Sequence, residues 1–271
     1  MSVYEKMTAI ADAIRNKTGE VEKLGLDAMV DGVDKVHKAG KQAEYDRFWD
    51  SYQNNGNRSD YQYAFAGWKD AVFKPKYNIV LGAGYTGTNM FWGCGVGNIA
   101  EALEGQGVIL DTTMCGYFSS MFQNAKTVRI PVLNCTHAMD YNTNGLQATF
   151  LSSTVETIDK LIVPEVLKYT STFQGCTNLK NITFEGTIGR DINMQWCPLT
   201  PESAWSVVQH LKCFEAYPDP EGDINPDFMK YTVTFSSAVW AALDEYTREN
   251  ELHGWGTVKD YIENDIGWRT A

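Results

Sequence analysis

Apolar positions in the first sixteen residues recur at helical spacing. Val3, Met7, Ile10 and Ile14 fall at steps of four, three and four, one face of a helix. Lys17-Thr18-Gly19 ends it, with Gly19 suited to a C-cap. A second helical pattern starts near Leu26. Leu26, Met29, Val33, Val36, Gly40 and Ala43 make a seam of coiled-coil spacing, flanked by Asp34, Lys35, Lys38 and Lys41. Gly32 and Gly40 each cost about 1 kcal/mol in a helix interior. Tyr45, Phe48, Trp49 and Tyr52 continue the apolar face until Asn54-Asn55-Gly56-Asn57, a run of turn formers. Two helices alone cannot bury both faces, which predicts a self-association stem over 1–54. A helical hairpin folded against its own body is the alternative.

From residue 58 to 200 the helical period fades and short β-type runs appear at Tyr77–Leu81, Thr127–Leu133, Thr157–Val163 and Asn181–Phe184. Within this stretch MFWGC (90–94), MFQNA (121–125), TFLSS (149–153) and TFQGC (172–176) align on Phe91, Phe122, Phe150 and Phe173. Each is followed by apolar, strand-like residues: Val96 and Ile99; Val128, Ile130 and Val132; Val155, Ile158 and Leu161; Leu179, Ile182 and Phe184. A stacked repeat explains the pattern, since a unit that cannot close a core alone buries its Phe against the next. Helical signals return with Thr200 as N-cap and Pro201 at the first helical position, leading through Ala204–Leu211. An acidic loop over 218–223 precedes a strand at Tyr231–Phe235. Ser236 caps a helix to about Thr247, and Thr257 starts a last short one. These residues read as the unit that closes the open end of the repeats.

Two segments carry resemblances. TFQGCTNLKNITFEGTIG, residues 172–189, resembles leucine-rich repeats of the BspA-like type, through Phe173, Gly175, Cys176, Leu179, Ile182 and Phe184. The other three copies are degenerate. IADAIRNKTGEVEKLGLDAMVDGV, residues 10–33, resembles N-terminal segments of tail or baseplate proteins from phages and prophages of Gram-positive anaerobes. Ala13, Ile14, Arg15, Lys17, Thr18, Gly19, Leu24 and Met29 match. Together the resemblances imply a virion component that presents a repeat surface for binding, and neither implies chemistry.

Charge narrows the partners. Acids exceed bases by 34 to 23, a net charge of −11, so the chain is poorly suited to neutralise phosphates or to bind an anionic membrane. No apolar run approaches a membrane span, and 13% aromatics with eight Trp exclude disorder. Glu5, Lys6, Asp12 and Arg15 interrupt any apolar export signal, so none is expected. Cys94, Cys115, Cys135, Cys176, Cys197 and Cys213 lack any CxxC pair and read as reduced, buried, silent thiols.

Candidate chemistry is sparse. Gly82-Ala83-Gly84-Tyr85-Thr86-Gly87 follows a strand-like run, but Gly93, Gly95 and Gly97 come where a nucleotide-binding helix should open. Glycines tightening turns explain it better. His37, His137, His210 and His253 are isolated, and His210 with Cys213 has no second pair to complete a zinc site. Asp219, Glu221, Asp223 and Asp227 lack the order of a calcium loop. Glu156, Asp159, Glu185 and Asp191 are the acids from which a glycoside hydrolase would draw a converging pair. Tyr61, Tyr63, Phe65, Trp68 and Phe73 cluster between stem and repeats, as a junction core or a carbohydrate platform, and Trp92 and Trp196 admit both readings.

The expectation is a mixed α and β chain: a helical, coiled-coil-like stem over 1–54, a leucine-rich-repeat-like β-solenoid over 55–197, and an α/β cap over 198–271. The expected role is non-catalytic, a phage-like tail or baseplate protein assembled in a bacterial host cytoplasm. It binds other virion proteins and a host-surface glycan or protein, through Tyr61, Tyr63, Trp68 and Trp92. Self-association runs through 1–54, without cofactor, metal, nucleic acid or membrane. A polysaccharide-degrading enzyme and a BspA-like cell-surface adhesin are the alternatives, the second needing an export route and a wall anchor that the sequence does not display.

Overall fold

Helical spacing near the N-terminus gives two helices, α1 (Val3–Thr18) and α2 (Leu26–Asn54). The computed structural model describes residues 3–18, 26–54, 60–69, 72–84, 86–138, 145–214, 228–248, 252 and 254–271. Gly19, Asn55-Gly56-Asn57, the 218–223 loop and its calcium candidates, and His253 lie outside the described residues, as do the side chains of Val3, Met7, Leu26 and Met29. The chain divides into two compact units, Met1–Asn57 with Lys69–Phe73, and Arg58–Trp68 with Lys74–Ala271.

In the first unit α1 and α2 pack on each other through Ala11 and Ile14, both buried. Gly32 is the reason they approach closely: a Cβ there would lie 2.3 Å from Ile14 Cγ2. Farther along α2, Tyr45 and Trp49 are buried, Trp49 meets Phe73 at 6.3 Å between ring centroids, and Gln42 Oε1 accepts from the Val72 amide at 3.1 Å. The seam expected to pair in a coiled coil is not the buried stripe. Val33 is 50% exposed, and Gly40 and Ala43 face solvent. The coiled-coil-like stem is therefore corrected to a helix pair that buries a different face.

The second unit is built on a column of aromatic rings. Phe65, Phe91, Phe122, Phe150 and Phe173 stack in order, with centroids 5.0, 5.2, 5.7 and 5.6 Å apart and rings tilted by 25° or less. Trp68 closes one end edge-on at 5.0 Å, and Phe184 closes the other at 6.5 Å. All five stacked rings have 1% exposure or less. Phe65 is a fifth copy beyond the four that align in sequence.

Each ring sits in a turn of fixed conformation. The residue two before it is left-handed: Tyr63, Asn89, Ser120, Ala148 and Ser171, with φ between 53° and 57°. The residue two after it is left-handed as well: Gly67, Gly93, Asn124, Ser152 and Gly175. This alternation aims every second N–H at the next turn. Phe118, Ser120, Phe122 and Asn124 donate to the carbonyls of Gly145, Gln147, Thr149 and Leu151 at 2.7–2.9 Å. Tyr61, Tyr63, Phe65 and Gly67 donate likewise to Thr86, Thr88, Met90 and Trp92 at 2.8–3.3 Å. A left-handed L-residue costs about 1–2 kcal/mol, and each cross-turn bond returns about 0.5–1.5 kcal/mol. Four bonds across Phe118–Asn124 therefore roughly offset its two strained residues, and ring burial of about 1.5–3 kcal/mol per Phe tips the balance toward the fold.

Behind the turns the chain forms strands. They are β1 (Ile79–Val80), β2 (Leu110–Asp111), β3 (Arg129–Ile130), β4 (Leu133–Asn134), β5 (Thr157–Val163), β6 (Asn181–Gly186), β7 (Ile192–Asn193), β8 (Thr232–Thr234) and β9 (Arg269–Thr270). All pairings are parallel, but they fall into separate sheets of two (β1–β2), four (β3 and β4 on β5, β5 on β6) and three strands (β7–β8–β9). Among the described residues no strand runs from one sheet into the next, so the expected leucine-rich-repeat-like β-solenoid is not formed, and the fold is mixed α/β with small parallel sheets. The helix α3 (Ile99–Gln106) replaces the strand expected around Val96 and Ile99. Asn98 caps it by accepting from the Glu101 amide, and Gly107 ends it at φ 64°. Farther on, α4 (Pro201–Gln209) starts at its Thr200 cap, followed by α5 (Ser237–Arg248), α6 (Val258–Tyr261) and a π-helical turn, Ile262–Ile266.

Removing one ring from the middle of the column leaves a cavity between two others. Phe122→Ala is expected to cost about 3–5 kcal/mol, measured as a lowered denaturation midpoint in guanidinium; a loss under about 1 kcal/mol would contradict the column.

Candidate functional site

The repeated turns give the second unit a regular outer surface. In each turn the ring is buried, as is the residue before it in all but the first turn. The residues two and three before it and one and two after it are half-buried or exposed, although the Thr88 hydroxyl at one of these positions is itself buried. Identical positions thus recur at the spacing of the ring column, about 5–6 Å. Gln62 and Gln147 occupy one such position, and Gln123 and Gln174 another. Tyr117 Oη donates to Gln147 Oε1 at 3.4 Å, tying two turns together on this face.

The four aromatic side chains expected to bind divide between core and surface. Tyr61 is fully buried and Trp68 is 9% exposed, so both belong to the core of the second unit. Tyr63 is 60% exposed and Trp92 44%. These two occupy adjacent turns, joined by the bond from the Gly67 amide to the Trp92 carbonyl at 2.8 Å. The burial of Tyr61 and Trp68 corrects their candidacy as ligand-facing residues. The signal separating them in sequence is the turn position: Tyr63 precedes Phe65 by two, whereas Tyr61 and Trp68 occupy inward slots.

The strand-bearing surface is charged, and several of its charges are paired. The guanidinium of Arg129 holds both Asp159 oxygens, Nε at 2.6 Å and Nη2 at 2.9 Å, and reaches Glu104 at 2.9 Å. The hydrogen bonds that Arg129 donates, first to Asp159 and then to Glu104, keep it protonated above its ordinary range. Lys160 pairs with Glu185 at 2.7 Å. Asp191 accepts from the Thr232 amide at 2.7 Å. Asp159, Glu185 and Asp191 are thus each engaged by a cation or an amide, and a hydrolytic pair would first have to break those contacts.

The remaining candidates also have structural uses. Gly82, Gly84 and Gly87 lead into the turn that carries Phe91 and not into a helix; a Cβ on Gly87 would lie 3.0 Å from Cys115 Sγ. His137 Nδ1 lies 2.7 Å from the Thr113 carbonyl, and His210 Nδ1 lies 2.7 Å from that of Ser206. Among the described residues no group of His, Cys, Asp and Glu is arranged to hold a metal ion, and no helix is long and apolar enough to cross a membrane. Trp196 is 37% exposed.

Five cysteines, Cys94, Cys115, Cys135, Cys176 and Cys197, are buried, whereas Cys213 is exposed, contrary to expectation. Cys176 Sγ donates to the Phe150 carbonyl at 2.9 Å. Burial pushes Cys94 up to about 11 and Cys135 well above its ordinary 9.0. The fold therefore favours the protonated thiol of Cys94, a contribution complete below pH 9 and lost as pH rises toward 11.

No family model matches the chain, and neither a curated protein nor a solved structure matches it.

Reaction with a thiol reagent needs an accessible sulfur, which burial denies to Cys94, Cys115, Cys135, Cys176 and Cys197. At pH 8 a thiol reagent such as Ellman's should titrate one cysteine per native chain, lost in Cys213→Ser, and the other five only after denaturation. Rapid release of more than one equivalent from native protein would contradict the burial.

Proposed function

We propose that this chain is a non-catalytic structural component of a phage-like tail or baseplate, presenting its turn face to a host-surface receptor or to another virion protein. The observation that carries the reading is the five-turn column. It holds equivalent outward side chains at fixed intervals on one stack of hydrogen-bonded turns, a geometry suited to contact, because a surface ordered before binding loses little conformational entropy. Pairing of Asp159 and Glu185 with cations, and of Asp191 with the Thr232 amide, supports contact over turnover.

The virion setting is supported by the resemblance of residues 10–33 to tail and baseplate segments, and the repeat surface by that of residues 172–189 to BspA-like repeats. Self-association through 1–54 is part of the proposal. Val30 and Val33 are 59% and 50% exposed on α2. A shallow groove of about 510 Å³ lies along the same helix between Val36, Ala39, Gly40 and Ala43 and the lysines Lys17 and Lys35. Apolar helix surface of this kind is normally covered.

Mass spectrometry of purified phage particles from a host carrying the gene should find the chain as a stoichiometric component, and light scattering of the full chain should find an oligomer. Absence from particles would overturn the virion role, and a monomer at micromolar concentration would overturn the self-association.

A further inference from the structure

The outer face of the five turns carries no charge. Counting from four residues before each ring to three after it gives five eight-residue segments, 61–68, 87–94, 118–125, 146–153 and 169–176, without one Asp, Glu, Lys or Arg. Charged residues make up 21% of the chain, so about eight would be expected among forty positions. Half of each segment faces the core, where charge is excluded anyway. The outward half is where its absence is informative, because solvent-facing turns are ordinarily where charge is placed. Asp60, Lys69, Lys126 and Lys168 stand just beyond the segment ends, so charge stops at the border of the face. The strand-bearing surface of the same unit holds the Arg129–Asp159–Glu104 and Lys160–Glu185 groups.

In place of charge the face offers amides and hydroxyls. The amide of Gln62, Gln123, Gln147 or Gln174 supplies both donors and acceptors, and serines and threonines beside them do the same. Tyr63 and Trp92 add two exposed aromatic rings on neighbouring turns. Such a surface gives neither cation nor anion a Coulombic reason to bind. It is also a poor protein-binding core, since serine and alanine are depleted there, and both recur in its outward positions at Ser119, Ser120, Ala148 and Ser171.

We infer that this charge-free turn face binds a neutral polysaccharide, with Trp92 and Tyr63 stacking on sugar rings and the glutamine amides hydrogen-bonding hydroxyls. The ligand chemistry matches term by term. A sugar hydroxyl is donor and acceptor at once, as are the groups on the face. The apolar C–H side of a pyranose covers an aromatic ring. Equivalent side chains recur every 5.0–5.7 Å along the column, close to the advance of one pyranose in an extended chain, so successive turns can meet successive sugars. This deepens the proposed function by naming the receptor chemistry, and it rests on that reading for the biological setting alone.

The test is affinity electrophoresis of the full chain through gels containing soluble neutral polymers (hydroxyethylcellulose, mannan, galactomannan, dextran), with polygalacturonate and hyaluronan as anionic controls. At least one neutral polymer should retard the protein while the anionic ones do not. The affinity should change little between about 50 and about 500 mM NaCl, because no charge pair is screened. Trp92→Ala should weaken binding by roughly tenfold or more. The pair Gln123→Glu with Gln147→Glu should weaken it similarly, and Lys160→Ala on the strand surface should leave it unchanged. Each variant is compared at an unchanged denaturation midpoint; a shifted midpoint for Trp92→Ala is replaced by Trp92→Phe, expected to retain part of the binding. Retardation by no neutral polymer, binding abolished by salt, or binding indifferent to both face variants would overturn the inference. A particle-borne chain that grips a host protein and no neutral glycan overturns this ligand class and leaves the virion role intact. A glycan binder absent from particles does the reverse.

Discussion

The ring-on-ring contact of Phe65, Phe91, Phe122, Phe150 and Phe173 is the constraint on which the second unit depends. A single turn of this kind has no reason to form alone. Its ring would face water on both sides, and two left-handed residues would remain strained without cross-turn bonds to offset them. Stacked, each ring is covered by its neighbours, and stacking adds about 0.5–1.5 kcal/mol per pair beyond burial. The strands behind the turns are short and fall into separate sheets, so continuity along this unit comes from the rings and the turn bonds, not from one β ladder.

The same constraint explains the outer surface. Alternating left-handed residues fix which side chains point inward, and the positions left over can vary without touching the core. That freedom makes uncharged composition a property of the face and not of the fold. Charge would be tolerated at outward slots such as Gln62, Gln174 or Ser171, all solvent-exposed, and it is placed freely on the strand surface a short distance away.

Much of the local structure is legible in the sequence. The β-type run Thr157–Val163 forms β5 over those residues, and the Thr200-Pro201 start of α4 appears where capping chemistry puts it. Four of the five stacked rings align by eye. Phe65 escapes because Tyr61–Trp68 shares neither the Met-Phe nor the Thr-Phe pair of the other copies. Most of the left-handed positions escape for a different reason: seven of the ten hold Tyr, Asn, Ser or Ala and only three hold Gly, and only context makes the former strained. The helix α3 is eight residues long, too short for periodicity to reveal, although Asn98 and Glu101 mark its start. The seam of α2 misleads because its spacing is correct for a helix interface while Gly32, one step off the seam, is where α1 packs. For the site, aromatic type selects Tyr61, Tyr63, Trp68 and Trp92 equally, and turn position alone divides them.

Native-state hydrogen exchange of the turn amides tests the central claim most directly. If the rings and cross-turn bonds form one cooperative unit, the amides of Phe65, Phe91, Phe122 and Phe150 share a single opening free energy close to that of global unfolding. Turns that open one at a time, with these four amides exchanging at widely different rates far below the global limit, would contradict the account.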